Sequence, residues 1–343
     1  MKPKTFTILF ILLLLLASVT YFVFKIQPSS SRVSSMGEMP FRDLPLDRIN
    51  EVHITRCEKG VTETIKLTKK DAAWVVGNRF DYPADFGAML ELVEKLRNAK
   101  VGRQFDASPD ILSRLALHDP FEPDIFDNEK GVRIRIICEE DNTLADVLLG
   151  KQRESSAING GHYLKPTNRN TIYLVDQTFR FIGAHPRDWI KSELLNMAPE
   201  NIETVTCLNP VDQTIIYEIK RPEKGAPPEL QNINDTEFIK NHMVESVFDT
   251  MSSFQIRDVA GKTGTIPEEI TGFNLLPVFE FQLFDGTVYR FYTGKKAGDK
   301  YDGFYFKTDA PDQSPWVYII SEWVHQSLIT DPEMFIEKTA DHL

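Results

Sequence analysis

Cysteine is scarce in this chain. Cys57, Cys138 and Cys207 are the three in 343 residues, an odd, widely spaced set that makes no disulfide framework. Cys138 ends the alternating stretch Val132 to Cys138, and Cys207 ends Val205-Thr206-Cys207, so both read as small apolar residues on strands. A single disulfide stays open for a body outside the cytoplasm. Positive charge is short as well. Lys2, Lys4 and Lys25 precede residue 27; the 39 Lys and Arg less these three leave 36 against 50 acidic residues, a net −14 for the body. Such a body is repelled by phosphate backbones, which argues against nucleic acid as a partner. After residue 24 there is no further apolar run long enough to span a bilayer.

Chemical signatures are equally thin. No two of the seven histidines stand four apart around a glutamate, so the metalloprotease pattern is missing. Gly261-Lys262-Thr263 resembles the tail of a phosphate-binding loop, but position 256 is Ile where that loop requires Gly. Lys262-Thr263-Gly264 lacks the Ser-x-x-Lys partner motif of penicillin-binding proteins. His118-Asp119 reads as a turn that stops a short helix, and Gly160-Gly161-His162 as a hairpin turn entering a strand. Asp124, Asp127 and Glu129 read as a solvated acidic loop, a weak calcium site being the sharper alternative. Trp74, Trp189, Trp316 and Trp323 read as core or edge anchors. No catalytic, cofactor-binding or metal-ligating set emerges, so the chain is expected to be a non-enzymatic protein without a cofactor.

What the chain does carry is an apolar start. Thr5 to Phe24 is twenty residues without a charge, bounded by Lys4 and Lys25. As a helix it measures ~30 Å, the thickness of a bilayer core. A cleaved signal peptide is the competing reading, but Val19 and Tyr21 to Phe24 extend the run past Ala17-Ser18, and no small-x-small site follows. No cysteine follows the run, which excludes a cleaved lipoprotein. Residues 1–26 therefore read as a cytoplasmic tip and signal anchor, with residues 5–24 in lipid. The short basic N-tail favours a single pass through the inner membrane with the body in the periplasm. Residues 27–45, rich in Ser, Pro, Met and Gly, read as a tether.

The remainder repeats itself. Ile49-Asn50-Glu51-Val52-His53-Ile54 matches Ile202-Glu203-Thr204-Val205-Thr206-Cys207, and Thr64 to Leu67 matches Tyr217 to Lys220. Each copy then shows a helical stripe: Phe86, Met89, Leu90, Val93 and Leu96 in the first, and Met243, Val247, Met251 and Phe254 in the second, where Asn234 and Glu237 form a capping pair. Strand pairs follow in one order: Val132 to Ile136 with Phe279 to Leu283, Leu149-Gly150-Lys151 with Thr293-Gly294-Lys295, His162 to Lys165 with Phe304 to Lys307, and Ile172 to Val175 with Val317 to Ile320. Turns such as Asp285-Gly286 and Asp141-Asn142 point to hairpins. The expected class is α+β, a tandem duplication of an antiparallel sheet with helices on one face, the copies covering residues 46–197 and 198–343. Each copy reads β-β-(β)-α, a short helix, four strands and a closing helix.

Ala73-Trp74-Val75-Val76, Leu115-Ala116-Leu117-His118-Asp119-Pro120, Leu149-Gly150-Lys151, Gly161-His162-Tyr163-Leu164 and Thr171 to Val175 resemble the bacterial family of domain of unknown function 4340, well over 46–195 and loosely beyond. Ala116 departs from the glycine usual in that family's Tyr-Gly-Leu. The resemblance implies an extracytoplasmic accessory part of an ABC-type system, since many members are encoded beside exporters of the gliding-motility type. It implies no catalytic residues. The expectation is a membrane-anchored accessory protein partnering ABC transporter subunits. A binding module for a lipid, peptide or glycan between the copies is the alternative, and an unrecognised enzyme the third reading.

Overall fold

The computed structural model describes residues 36–139, 142–153, 160–179, 182–232, 238–298, 301–310, 313, 315–328 and 331–337. Thr5 to Phe24, residues 27–35, Asp141, Asn234 and Glu237 lie outside the described residues. Among the described residues no helix is long and apolar enough to cross a membrane.

Two large antiparallel sheets with a few helices form an α+β fold. The first sheet contains β1 (Ile49–Glu58), β2 (Val61–Lys70), β3 (Ala73–Val76), β4 (Tyr82–Pro83), β5 (Val101–Asp106), β6 (Val132–Cys138), β7 (Thr143–Gln152), β8 (His162–Pro166) and β9 (Thr171–Val175), in the order β4-β3-β2-β1-β6-β7-β8-β9-β5. A short β10 (Glu193–Leu195) follows. The second sheet contains β11 (Ile202–Leu208), β12 (Ile215–Lys220), β13 (Glu229–Leu230), β15 (Asp258–Lys262), β16 (Val278–Leu283), β17 (Val288–Lys296), β18 (Phe304–Thr308) and β19 (Trp316–Ile320). Its order, β13-β12-β11-β16-β17-β18-β19-β15, is that of the first sheet without the outermost strand. Alternation explains the strands: Val52 and Ile54 are fully buried while Glu51 and His53, alternating with them, reach solvent.

The halves share detail below the level of strand order. Gly161 and Gly303 each enter a strand where a Cβ would overlap a carbonyl oxygen, that of Val175 in one half and of Ile320 in the other. The helix after β5 in the first half and after β15 in the second, α2 (Pro109–Leu115) and α4 (Glu268–Thr271), each end on a left-handed residue, Ala116 (φ 52°) and Gly272 (φ 69°). The departure at Ala116 is thus an alanine held where glycine is favoured. Ala84 bridges Ile190 as Ile239 bridges Ile336, and the 3-10 turns Pro186–Trp189 and Pro332–Phe335 each bury an aromatic residue beside that bridge.

One continuous core runs through both halves, from Leu44 to Phe335. The lone β14 (Phe254–Gln255) of the second half pairs with β10 of the first, and the Met197 amide donates to the Met251 carbonyl. β10 lies before the expected 197/198 boundary and β14 after it, so this strand pair joins the two halves. A second seam lies at the turn between β3 and β4. Arg79 reaches Asp258 through Nε–Oδ1 at 2.5 Å and Nη2–Oδ2 at 3.2 Å. Tyr82 packs edge-on against Trp316 and Tyr318, and Trp316 Nε1 donates to the Phe80 carbonyl.

Several expectations need correction. β5 and β15, at the far edges, were not foreseen as strands, because Val101-Gly102-Arg103-Gln104-Phe105-Asp106 alternates weakly and its partner β9 is about 70 residues away. The second copy's helix, α3 (Asn241–Asp249), is shorter than its stripe. Met251 and Phe254 are buried, but on a 3-10 turn and on β14. There Thr250 Oγ1 donates to the Ser246 carbonyl and Ser252 Oγ to that of Asp249, hydroxyl bonds that compete with helical ones. A closing α-helix, α5 (Glu322–Ser327), is present in the second half, whereas among the described residues between β9 and the 3-10 turn Pro186–Trp189 of the first half there is none. The chain is built in before residue 46: Gly37 N donates to the Val101 carbonyl, Val101 N donates to the Glu38 carbonyl, and Leu44 is buried.

Candidate functional site

Two regions carry chemistry beyond packing. The first is the turn after α2. Ser108 caps this helix, accepting from Ile111 N, with Pro109 in its first turn. The left-handed Ala116 turns the chain back so that His118 Nε2 lies 3.0 Å from Ser113 Oγ, and His118 Nδ1 lies 2.9 Å from Glu122 Oε2. Hydroxyl, imidazole and carboxylate stand in the order of a nucleophile, a base and an orienting acid. Acyl transfer also needs free backbone N–H groups to hold an oxyanion. Here the amides of Ala116 and Leu117 donate to the carbonyls of Ser113 and Leu112, that of His118 to Glu129, and those of Phe121 and Glu122 to Asp119. With these amides engaged, the array acts as a tie between loop and helix. Asp119 also accepts from Arg133 Nη1 at 3.0 Å, as part of the turn expected there.

The same loop is fastened to the hairpin of β1 and β2. Asp127 accepts from Gly60 N at 2.8 Å and from Cys57 Sγ at 3.1 Å, and Thr62 Oγ1 donates to the Pro120 carbonyl. The Gly60 N–H, followed by the Cys57 thiol, holds Asp127 below the usual carboxylate range. Asp124 adopts a left-handed turn (φ 59°). Among the described residues no group of three or more His, Cys, Asp or Glu converges on a metal position. Around these ties Val61, Phe121 and Phe126 stand exposed, Phe126 at 77%.

The remaining motifs fall into structural places. Gly261 and Lys262 lie on β15, Thr263 N donates to the Pro315 carbonyl, and Lys262 Nζ sits 4.7 Å from the Trp316 ring centre. No helix begins there to receive a phosphate. His162 is buried and its Nδ1 accepts from Phe179 N at 3.1 Å. Trp189 is buried, Trp74 and Trp316 are half-buried, and Trp323 is exposed. The three cysteines are free thiols. Cys207 is fully buried, and burial pushes its thiol up to about 12.

The second region is a groove of about 630 Å³ in the first half, bounded by β2, β3, β4 and the helix α1 (Phe86–Arg97). Asp85 caps α1 by accepting from Ala88 N at 2.9 Å. Met89, Leu92, Val93 and Leu96 of this helix are buried, whereas Phe86 and Leu90 of the expected stripe face the groove. Trp74, Pro83 and Ala84 form the opposite wall, with Leu46 and Ile49 at one end. Lys69 and Asp47 are its charged lining residues. Lys69 was not singled out from sequence; the available signal was a lysine continuing the inward row Ile65, Leu67 of β2. The groove lies within the first half, not between the halves.

No protein of curated function and no solved structure matches this chain. The family model described as "Domain of unknown function (DUF4340)" matches residues 74–271, from Trp74 on β3 to Thr271 at the end of α4. The match begins later than the resemblance in the first copy and runs well into the second. It covers more than half of the sequence and takes in strands of both sheets, and on that basis the chain belongs to the DUF4340 family.

Proposed function

We propose that this protein is a membrane-anchored, extracytoplasmic accessory protein whose body docks onto an ABC-type transport complex. In this reading Thr5 to Phe24 crosses the inner membrane once, and the periplasmic body is a tandem duplication. The observation that carries it is the exposed apolar group Val61, Phe121 and Phe126, held on a fixed frame by the Asp127 and Thr62 ties. Exposed apolar clusters of this kind mark interaction surfaces. The short leash supports it. Twelve residues separate Phe24 from Gly37, where the chain joins the body, so the body stays within about 40 Å of the apolar run. The shared strand order of the two sheets supports the duplication. A photo-crosslinking amino acid at Phe126, followed by mild detergent extraction, should capture transporter subunits. Recovery of the uncrosslinked protein alone overturns the reading.

A second reading, an extracytoplasmic binding module for a lipid, peptide or glycan, is favoured by the apolar groove along α1.

A further inference from the structure

The groove has a counterpart in the second half, and the contrast between them points to an occupant. Strand register pairs Val52 with Leu67 and Val205 with Ile219. Two residues further on, Lys69 and Arg221 take equivalent places. Arg221 is buried. Its guanidinium donates to the carbonyls of Ala226 and Pro199 and lies 4.9 Å from the centre of the Phe248 ring. That position is closed by the protein itself. Lys69 is half-buried on the same inward face, opposite Trp74. Among the described residues its ammonium has neither a hydrogen bond nor an ion pair.

A half-buried cation against apolar walls is stabilised by an anion brought to it. Asp47, the acidic lining residue, stands exposed and leaves that place open. The walls ask for an apolar body. Trp74, Phe86, Met89, Leu90 and Val93 offer no backbone ladder, and the neighbouring edge at β4 is already closed by Lys191 N–Pro83 O and Asp85 N–Trp189 O. An extended peptide therefore has no edge to join. The volume falls in the range of small-molecule sites. In the anchored form proposed above, the body stays within about 40 Å of the apolar run, so the bilayer is the acyl source within its reach.

We propose that the first-half groove binds an anionic acyl lipid drawn from the bilayer, with its tail between α1 and Trp74 and its head group on Lys69. This rests on the binding-module reading and names its ligand.

The test uses the full chain held in amphipol, titrated with cis-parinaric acid, whose polyene accepts energy from tryptophan. Uncharged parinaryl alcohol is the control probe. The wild type should saturate at one acid per chain. Lys69→Met should weaken the acid about tenfold, the worth of one charge-assisted contact, and leave the alcohol unchanged. Ala73→Trp should fill the groove and block both probes. If neither probe saturates on the wild type, the binding reading and this inference fall together. If both saturate and Ala73→Trp blocks them, but Lys69→Met does not discriminate acid from alcohol, the groove remains a binding site and the anionic lipid is overturned.

Discussion

Removing the Arg79–Asp258 contact should loosen the body at a seam between its halves. The Asp258 side chain is 5% exposed and that of Arg79 17%, and they meet through two parallel contacts. Val259 N also donates to Asp258 Oδ1, so the carboxylate is held in place whether or not the arginine is present. Arg79→Met strands a buried carboxylate, and Asp258→Asn strands a guanidinium. Each single change should cost about 3–5 kcal/mol, because the remaining charge is left without its partner. Arg79→Met with Asp258→Asn removes both charges, and its cost should fall short of the sum by about 2 kcal/mol or more. In a chain of this size a loss of 3 kcal/mol lowers the melting temperature by roughly 5 °C. Urea denaturation of the full chain in mild detergent, followed by circular dichroism, measures all four corners of the cycle. Additivity within about 0.5 kcal/mol would refute the claim that the contact carries energy across the seam.

Two further outcomes follow from the same geometry. Gly161→Ala and Gly303→Ala each drive a methyl into a backbone carbonyl and should each destabilise by about 3 kcal/mol or more, while Gly298→Ala, which meets open space, should stay within about 0.5 kcal/mol; denaturant midpoints give the comparison. His325 stacks on Phe304 at 4.0 Å between ring centres, and burial lowers its pKa from the ordinary 6.5, with Glu322 opposing. The unfolded chain therefore takes up a proton at higher pH than the folded one, and stability should fall as pH drops below about 6.5 toward the folded pKa. His325→Gln should flatten this slope between pH 7 and 5.5, and parallel curves for the two proteins would contradict the assignment.

Much of the sheet framework was legible because its strands alternate cleanly and occur twice. Val52 and Ile54 announce an inward face, as do Val205 and Cys207. The far-edge strands were not, since Gly102 and Arg103 break the alternation of β5, and its pairing with β9 is a long-range event. The helical stripe of α1 gave its residues correctly but not their fates. Phe86 and Leu90 look the same in a pattern whether they meet a core or line a groove. The convergence of Ser113, His118 and Glu122 depends on one left-handed backbone at Ala116, which no spacing rule reveals. Lys69 and Arg221 became comparable only once the register of β2 and β12 was known.

The pairing of β10 with β14 has a mechanical meaning. A strand from one half is stitched into the other, and a single apolar interior fills both. Load applied at the Gly37 entry point is therefore carried through the whole globule rather than absorbed by a hinge at its midpoint. A pull on one sheet passes to the other through that shared pair and core, as in a strut and not as in two independently swivelling beads.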